Sequence, residues 1–221
     1  MSELAFEKKT SKRLYNDYIK RGIDLVLAVP FLIVGAIPMG IAALAIRLES
    51  PGSPIFRQTR IGRGGKEFEI LKFRSMYLNS EHTGSGVYSG KDDNRVTKVG
   101  KFVRATSIDE LPQLINIIKG EMSFIGPRPP LTYHPWSYED YTDEQKRMFE
   151  VRPGITGWAQ VNGRKQVEWN ERIKLNVWYV DHVSFLLDLK IFFKTILAVV
   201  TSKDNENVGA TLKKEKAEAV K

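Results

Sequence analysis

Between Leu25 and Ile46 the chain runs for 22 residues without a charge, LVLAVPFLIVGAIPMGIAALAI. As a helix rising about 1.5 Å per residue, such a run can cross a hydrocarbon core of roughly 30 Å. It reads as a membrane segment that is retained, since it is longer than the apolar core of a cleavable leader and lacks a small-residue cleavage site. Pro30 and Pro38 lie inside it, each removing a helix hydrogen bond, and a break is expected at Pro38. Both flanks are basic, with Lys8, Lys9, Lys12, Arg13, Lys20 and Arg21 before the run and Arg47, Arg57, Arg60, Arg63, Lys66, Lys72 and Arg74 after it. Lys and Arg mark the cytoplasmic side, so a helix that enters, turns at a proline and returns explains the symmetry better than a crossing does. A kinked ordinary span is the alternative.

The rest of the chain divides into a region from 51 to 201 that can form one folded domain and a polar, charged tail from 202 to 221. Gly62, Gly64 and Gly65 followed by the alternating Glu67 to Arg74 predict a hairpin leading into a short strand. No Gly-Lys-Ser/Thr follows those glycines, which excludes a P-loop. Residues 83–93 have loop composition, a helix is expected from about Leu111 to Lys119 with Gly120 as its stop, and residues 139–150 look helical. Gly126-Pro127-Arg128-Pro129-Pro130 and Arg152 to Gly157 read as loops. From Trp169 onward, Ile173, Val177 and Val180 recur at helical spacing before FLLDLKIFFKTILAVV, whose Asp188, Lys190 and Lys194 favour a helix lying in the membrane interface over a second crossing. A core helix is the competing reading of that stretch.

The net charge of +8 calls for an anionic partner, which could be a phosphorylated substrate, an acidic leaflet or nucleic acid. Its basic residues are scattered among proline and glycine loops rather than along a recognition helix or aromatic platform, which argues against nucleic acid. The chain has no cysteine, and His82, His134 and His182 have no metal-ligand spacing, so a thiolate zinc site is excluded. Thr106-Ser107-Ile108-Asp109-Glu110-Leu111-Pro112 puts two adjacent carboxylates at a helix start. Ser107 and Glu110 have capping-box spacing, but a cap at Ser107 would put Pro112 where an N–H should bond, so a start at Asp109 or later is expected. An ionised aspartate there can attack phosphorus if the phosphate charge is neutralised by Mg²⁺ and cations. Lys72, Arg74, Arg104, Arg128 and Arg164 supply the cations, Asn162 lies beside the last of them, and Asp109 is the expected Mg²⁺ ligand. A membrane-tethered protein that binds an acidic partner without turnover is the alternative function.

Several longer motifs occur in one order: Lys20-Arg21, Phe56-Arg57-Gln58, Lys72-Phe73-Arg74-Ser75-Met76, Arg95-Val96-Thr97, Ser107 to Leu114, Lys119 to Ser123, Gly126 to Pro129, Arg152 to Arg164, and Val177-Trp178-Tyr179-Val180. Together they make the chain resemble the small monotopic bacterial phosphoglycosyl transferases, also called bacterial sugar transferases. The resemblance implies an α+β, mostly helical monotopic membrane protein, with a re-entrant helix in residues 1–50, interfacial amphipathic helices and a small catalytic domain carrying a β-hairpin. It also implies location at the cytoplasmic face of the bacterial inner membrane, a UDP-sugar donor, polyprenol phosphate as acceptor, Mg²⁺, Asp109 as nucleophile, and Glu110 in phosphate positioning or proton handling. Family members commonly have Ser-Pro at the helix break, where this chain has Ile37-Pro38.

Overall fold

In a computed structural model, residues 13–80, 93–162 and 168–200 are described. The tail beyond 201, most of the 83–93 loop and Arg164 lie outside them. The described chain is mostly helical with two small sheets. A π-helical turn, Tyr15–Ile19, runs directly into α1, Lys20–Glu49. Helical assignment continues through Pro30 and through Pro38, the position expected to break it. This is the one described helix long and apolar enough to cross a membrane, with a stretch of mean hydropathy 2.4.

A single stripe of α1 faces the rest of the protein. Lys20, Asp24, Ala28, Ala42 and Ile46 are buried, while Leu32 and Met39 are partly so, at spacings of three or four residues or their sums. Ala28 joins Phe68, Ile70, Leu114, Ile117 and Met122, whereas Ala42 and Ile46 join Phe73 and Val103. Phe68 and Phe73 belong to the same strand, so both ends of α1 rest on one domain, and the packing runs across the 50/51 boundary. The rest of the helix surface carries ten exposed large apolar residues, among them Val34, Ile37 and Leu48, each at least 75% exposed. Each would gain about 1.5–3 kcal/mol by leaving water.

The expected hairpin forms from β1, Ile55–Ile61, and β2, Glu67–Phe73, paired antiparallel from Ile55 opposite Phe73 to Ile61 opposite Glu67. Then come α2, Lys98–Ala105, a 3₁₀ turn at Ile108–Glu110, and α3, Gln113–Lys119, which ends at Gly120 with φ +86°. A second, parallel sheet pairs β3, Ser123–Ile125, which ends just before the Gly126–Pro130 loop, with β4, Gly154–Thr156, which lies inside a segment read as a loop from sequence. Here the backbones approach so closely that a Cβ at Gly126 would sit 2.3 Å from the carbonyl oxygen of Arg152. The helix expected over 139–150 is shorter, with α4 at Asp143–Lys146 and a 3₁₀ turn at Arg147–Phe149, and α5, Trp158–Asn162, follows β4.

The C-terminal stretch splits into α6, Trp169–His182, and α7, Phe185–Val200. Phe185, Leu186, Leu189, Phe192, Phe193, Ile196 and Leu197 of α7 are exposed, and it is Asp188 and Ile191 that are buried. Asp188 pairs with Lys20 and accepts hydrogen bonds from the Tyr15 and Tyr179 hydroxyls, both at 2.7 Å. The charge that interrupts the apolar run is therefore the device that ties α7 to the start of α1. Lys190 and Lys194 lie 5.6 and 5.1 Å over the Trp158 ring, so they hold the other edge of α7 against α5.

The Lys20 and Asp188 side chains are only 7% and 8% exposed. Asp188→Ala is therefore expected to strand a buried ammonium and destabilise the fold by about 3–5 kcal/mol. The double variant Lys20→Met with Asp188→Leu is expected to lose less, as read by thermal unfolding in lipid nanodiscs.

Candidate active site

The turn bearing the carboxylate pair is held from both sides. On the N-terminal side, Thr97 caps α2 by accepting the Gly100 amide at 2.9 Å, and a Cβ at Gly100 would lie 2.0 Å from the Ser75 carbonyl oxygen. That close contact lets Arg104 Nε reach Ser75 Oγ at 2.7 Å and places its guanidinium where its charge acts on Asp109. Ser107 follows in the left-handed region at φ +57°, uncommon for a residue with a side chain, and it makes no capping hydrogen bond. The capping box allowed by spacing does not form. The chain takes a 3₁₀ turn through Asp109 and Glu110, and α3 starts only after Pro112, in agreement with a start at Asp109 or later.

On the C-terminal side the determining residue is Asn116, fully buried in α3. Its Oδ1 accepts the Leu71 amide at 3.0 Å, and its Nδ2 donates to the Glu69 carbonyl at 2.7 Å and to Glu121 Oε2 at 2.7 Å. One side-chain amide thus pairs with the edge of β2 as a neighbouring strand would, and fixes α3 beside Lys72. Lys72 Nζ in turn donates to Glu110 Oε1 at 2.9 Å, with Arg128 4.0 Å from the same oxygen. Arg128 rides on a proline loop pinned by the Ile61 amide on the Pro130 carbonyl (3.1 Å) and the Gly154 amide on the Pro127 carbonyl (3.0 Å).

The structure therefore gathers Lys72, Arg104 and Arg128 around Asp109 and Glu110, setting three cations against two carboxylates. The two carboxyls differ. Burial pushes the Asp109 carboxyl up, Lys72 pulls it partly back, and Glu110 pushes it up again, leaving it above the usual range. Burial also pushes Glu110 up, but Lys72 and Arg128 outweigh it, and this carboxyl lies below its ordinary value. Asp109 accepts no hydrogen bond from a described residue, so its oxygens are available. It is the residue that could hold a divalent ion. No group of three or more His, Asp or Glu gathers among the described residues, so oxygens of a bound diphosphate and water would complete the shell, as is usual for Mg²⁺.

Two expected binding residues are placed elsewhere. Arg74 is buried, and its guanidinium donates to the carbonyls of Pro51 (2.7 Å) and Ser50 (2.8 Å) and to Ser50 Oγ (2.9 Å), fastening the turn that follows α1. Asn162 donates to the Trp158 carbonyl at 2.9 Å and accepts from Lys194 Nζ at 2.6 Å, contacts that belong to the α5–α7 junction. Reasoning from sequence missed Asn116. Its signal was present, a polar residue inside the apolar Leu114-Ile115-Asn116-Ile117-Ile118.

With this geometry in view, comparison with known proteins is decisive: residues 15–202 match the family described as Bacterial sugar transferase. The chain belongs to that family. The transferase is 44% identical to the "Uncharacterized sugar transferase EpsL" of Bacillus subtilis over 187 residues, 84% of this chain and 89% of that one. It is 42% identical over 196 residues to the UDP-glucose:undecaprenyl-phosphate glucose-1-phosphate transferase of Caulobacter vibrioides, covering 86% and 73% of the two chains. It is also 42% identical over 191 residues to the UDP-N-acetylgalactosamine-undecaprenyl-phosphate N-acetylgalactosaminephosphotransferase of Aeromonas hydrophila, covering 83% of this chain and 44% of that one. The transferase is accordingly an enzyme of the phosphoglycosyl transferase type.

Removing the Lys72 charge raises both carboxyl pKa values, because Lys72 lowers each. Lys72→Met is thus expected to move the acid limb of the pH–rate profile to higher pH and to slow turnover on the order of 10²-fold. Lys72→Arg should restore the limb. A carboxyl raised by folding costs stability above its folded pKa and none below its unfolded one, so Asp109→Asn is expected to melt no lower than wild type at pH 7.

Proposed function

We propose that this transferase moves a phosphosugar from a UDP-sugar to polyprenol phosphate at the cytoplasmic face of the bacterial inner membrane, starting assembly of an exopolysaccharide, capsule or protein-linked glycan. The observation that carries the reading is Asp109, a carboxylate with no hydrogen-bond partner among the described residues, surrounded by Lys72, Arg104 and Arg128. The substrates named for the Caulobacter and Aeromonas relatives agree with it.

In the first half-reaction an Asp109 oxygen attacks the β-phosphorus. The bond from that phosphorus to the bridging oxygen breaks, UMP departs with the oxygen, and an aspartyl phosphosugar remains. Lys72, Arg104 and Arg128 offset the charge on the phosphoryl oxygens as the bonds exchange. In the second half-reaction a phosphate oxygen of the polyprenol attacks the same phosphorus and releases the Asp109 carboxylate. The product is a polyprenyl diphosphate sugar. Glu110, held ionised by Lys72 and Arg128, orients Lys72 toward the phosphate. Mg²⁺ bound through Asp109 and the diphosphate would neutralise charge on the leaving UMP. Arg164 completes the cation set in this proposal.

The exposed apolar faces support the lipid arrangement in this proposal. The outer side of α1 and the apolar face of α7 lie in one leaflet, α1 returning to the face it entered and α7 lying along the interface. Pro30 and Pro38 leave the Val26 and Val34 carbonyls without their helix partners, which softens the middle of α1 for such a path.

The test is UMP release by purified protein with Mg²⁺ and a panel of UDP-sugars, with and without polyprenol phosphate. One UDP-sugar is expected to give a single equivalent of UMP without acceptor and continuous release with it, and Asp109→Asn neither. Turnover by Asp109→Asn at the wild-type rate, or silence of the wild type across a broad panel, would overturn the proposal.

A further inference from the structure

Besides packing on the domain, each end of α1 is hydrogen-bonded to one of the two helices that flank the carboxylate pair. Glu49 is the last residue of α1, and its carboxylate lies on the first turn of α2. Oε1 accepts the Lys98 amide at 2.7 Å and Oε2 the Val99 amide at 3.0 Å. Together with Thr97 on the Gly100 amide, three amides left open at the start of α2 are taken, two of them by a residue some fifty positions away. At the other end of α1, Arg21 donates to the carbonyls of Ile117 and Ile118, the latter at 2.8 Å, in the last turn of α3. Arg152 Nε adds a hydrogen bond to the Gly120 carbonyl at 3.0 Å. An anion thus meets a helix N-terminus and a cation a helix C-terminus, each in the favourable sense.

What lies between these anchors is short. α2 delivers Arg104 to Asp109 and ends at Ala105, and α3 starts at Gln113, so Asp109 and Glu110 hang on a seven-residue turn, strained at Ser107, between two helices whose outer ends are tied to one helix. A shift of α2 along its axis moves Arg104 and Ser107 together. A shift of α3 is checked by Asn116 on β2, which keeps Lys72 in register with Glu110.

We propose that Glu49 and Arg21 are positioning residues for the transfer reaction, acting through α2 and α3 so that the seating of α1 in the lipid sets where the Asp109 oxygen stands relative to phosphorus. This rests on the reading of Asp109 as the nucleophile. Neither side chain touches the reacting atoms. Loss of the Arg21 tether is expected to slow the chemical step and leave donor binding almost unchanged, because Lys72 and Arg128 lie outside α3, whereas loss of the Glu49 tether moves Arg104 with α2 and is expected to slow the step and weaken donor binding together. A misplacement of about 1 Å is enough for a loss of 10- to 100-fold.

The experiment compares full-length wild type, Glu49→Ala, Glu49→Gln, Arg21→Ala and Arg21→Lys in nanodiscs of one stated lipid composition, with the active UDP-sugar and Mg²⁺. Single-turnover UMP release, donor KM and melting temperature are measured for each. The expected result is a fall in the UMP-release rate of about 10-fold or more for both alanine variants, with melting within a few degrees of wild type, donor KM within about twofold of wild type for Arg21→Ala and raised for Glu49→Ala, whose helix carries Arg104. Glu49→Gln, which still accepts an amide, and Arg21→Lys, which keeps the cation, should recover part of the rate. Wild-type rates in both alanine variants would overturn the inference. So would a fall that only tracks loss of folded protein in the alanine variants and is absent from Glu49→Gln and Arg21→Lys. Asp109→Asn, run beside them, separates the two claims: if it turns over, the assignment of the nucleophile fails, and if it alone is inactive, only the positioning role fails.

Discussion

Both ends of one apolar helix rest on one small domain, and most of the arrangement around Asp109 depends on that contact. Ala28 packs on the α3 side of the domain and Ile46 on the α2 side, with β2 supplying Phe68 and Ile70 to the first cluster and Phe73 to the second. The lipid-facing element and the reacting element are consequently one packed unit. The Lys20–Asp188 pair extends this unit to α7, so the two faces that carry exposed apolar residues are held in a fixed relation to each other. Removing water from Lys20 and Asp188 is costly on its own, and the two tyrosine hydroxyls on Asp188 offset part of that cost while making the junction geometrically specific.

Within this frame the site separates two adjacent carboxylates by environment. Glu110 is engaged by Lys72 and faces Arg128, while Asp109 is half-buried without a hydrogen-bonding partner among the described residues. A carboxylate with little solvation and no internal partner is a better nucleophile than one held in an ion pair, provided it is ionised, and the surrounding cations favour that form. The left-handed Ser107 is the local strain that lets α2 end and the pair turn inward before α3 begins.

Much of this was legible from local pattern. Alternation from Glu67 to Arg74 after three glycines sufficed for the hairpin, because its pairing is between neighbours. The proline at 112 placed the helix start at Asp109 or later, and α3 starts at Gln113. The parallel β3–β4 contact was not legible, since each strand has three residues and its partner lies far along the chain. Arg74 reads from sequence as one of the cations available to a phosphate, but β2 ends at Phe73 and the next side chain turns to Ser50 and Pro51. Asp188 read as an interruption of an apolar run because the residues that justify its burial, Lys20, Tyr15 and Tyr179, come from the other end of the chain and from α6. Arg21 reads as an ordinary flanking charge for the same reason, and nothing local marks Glu49.

The proposal that α1 returns to the side it entered is tested most directly by single cysteines placed at Arg13 and Ser53 in this cysteine-free chain. With a membrane-impermeant thiol reagent on sealed inside-out and right-side-out vesicles, both positions are expected to react from the cytoplasmic side alone. Reaction of Arg13→Cys and Ser53→Cys from opposite sides would show that α1 crosses the bilayer, and would contradict the account.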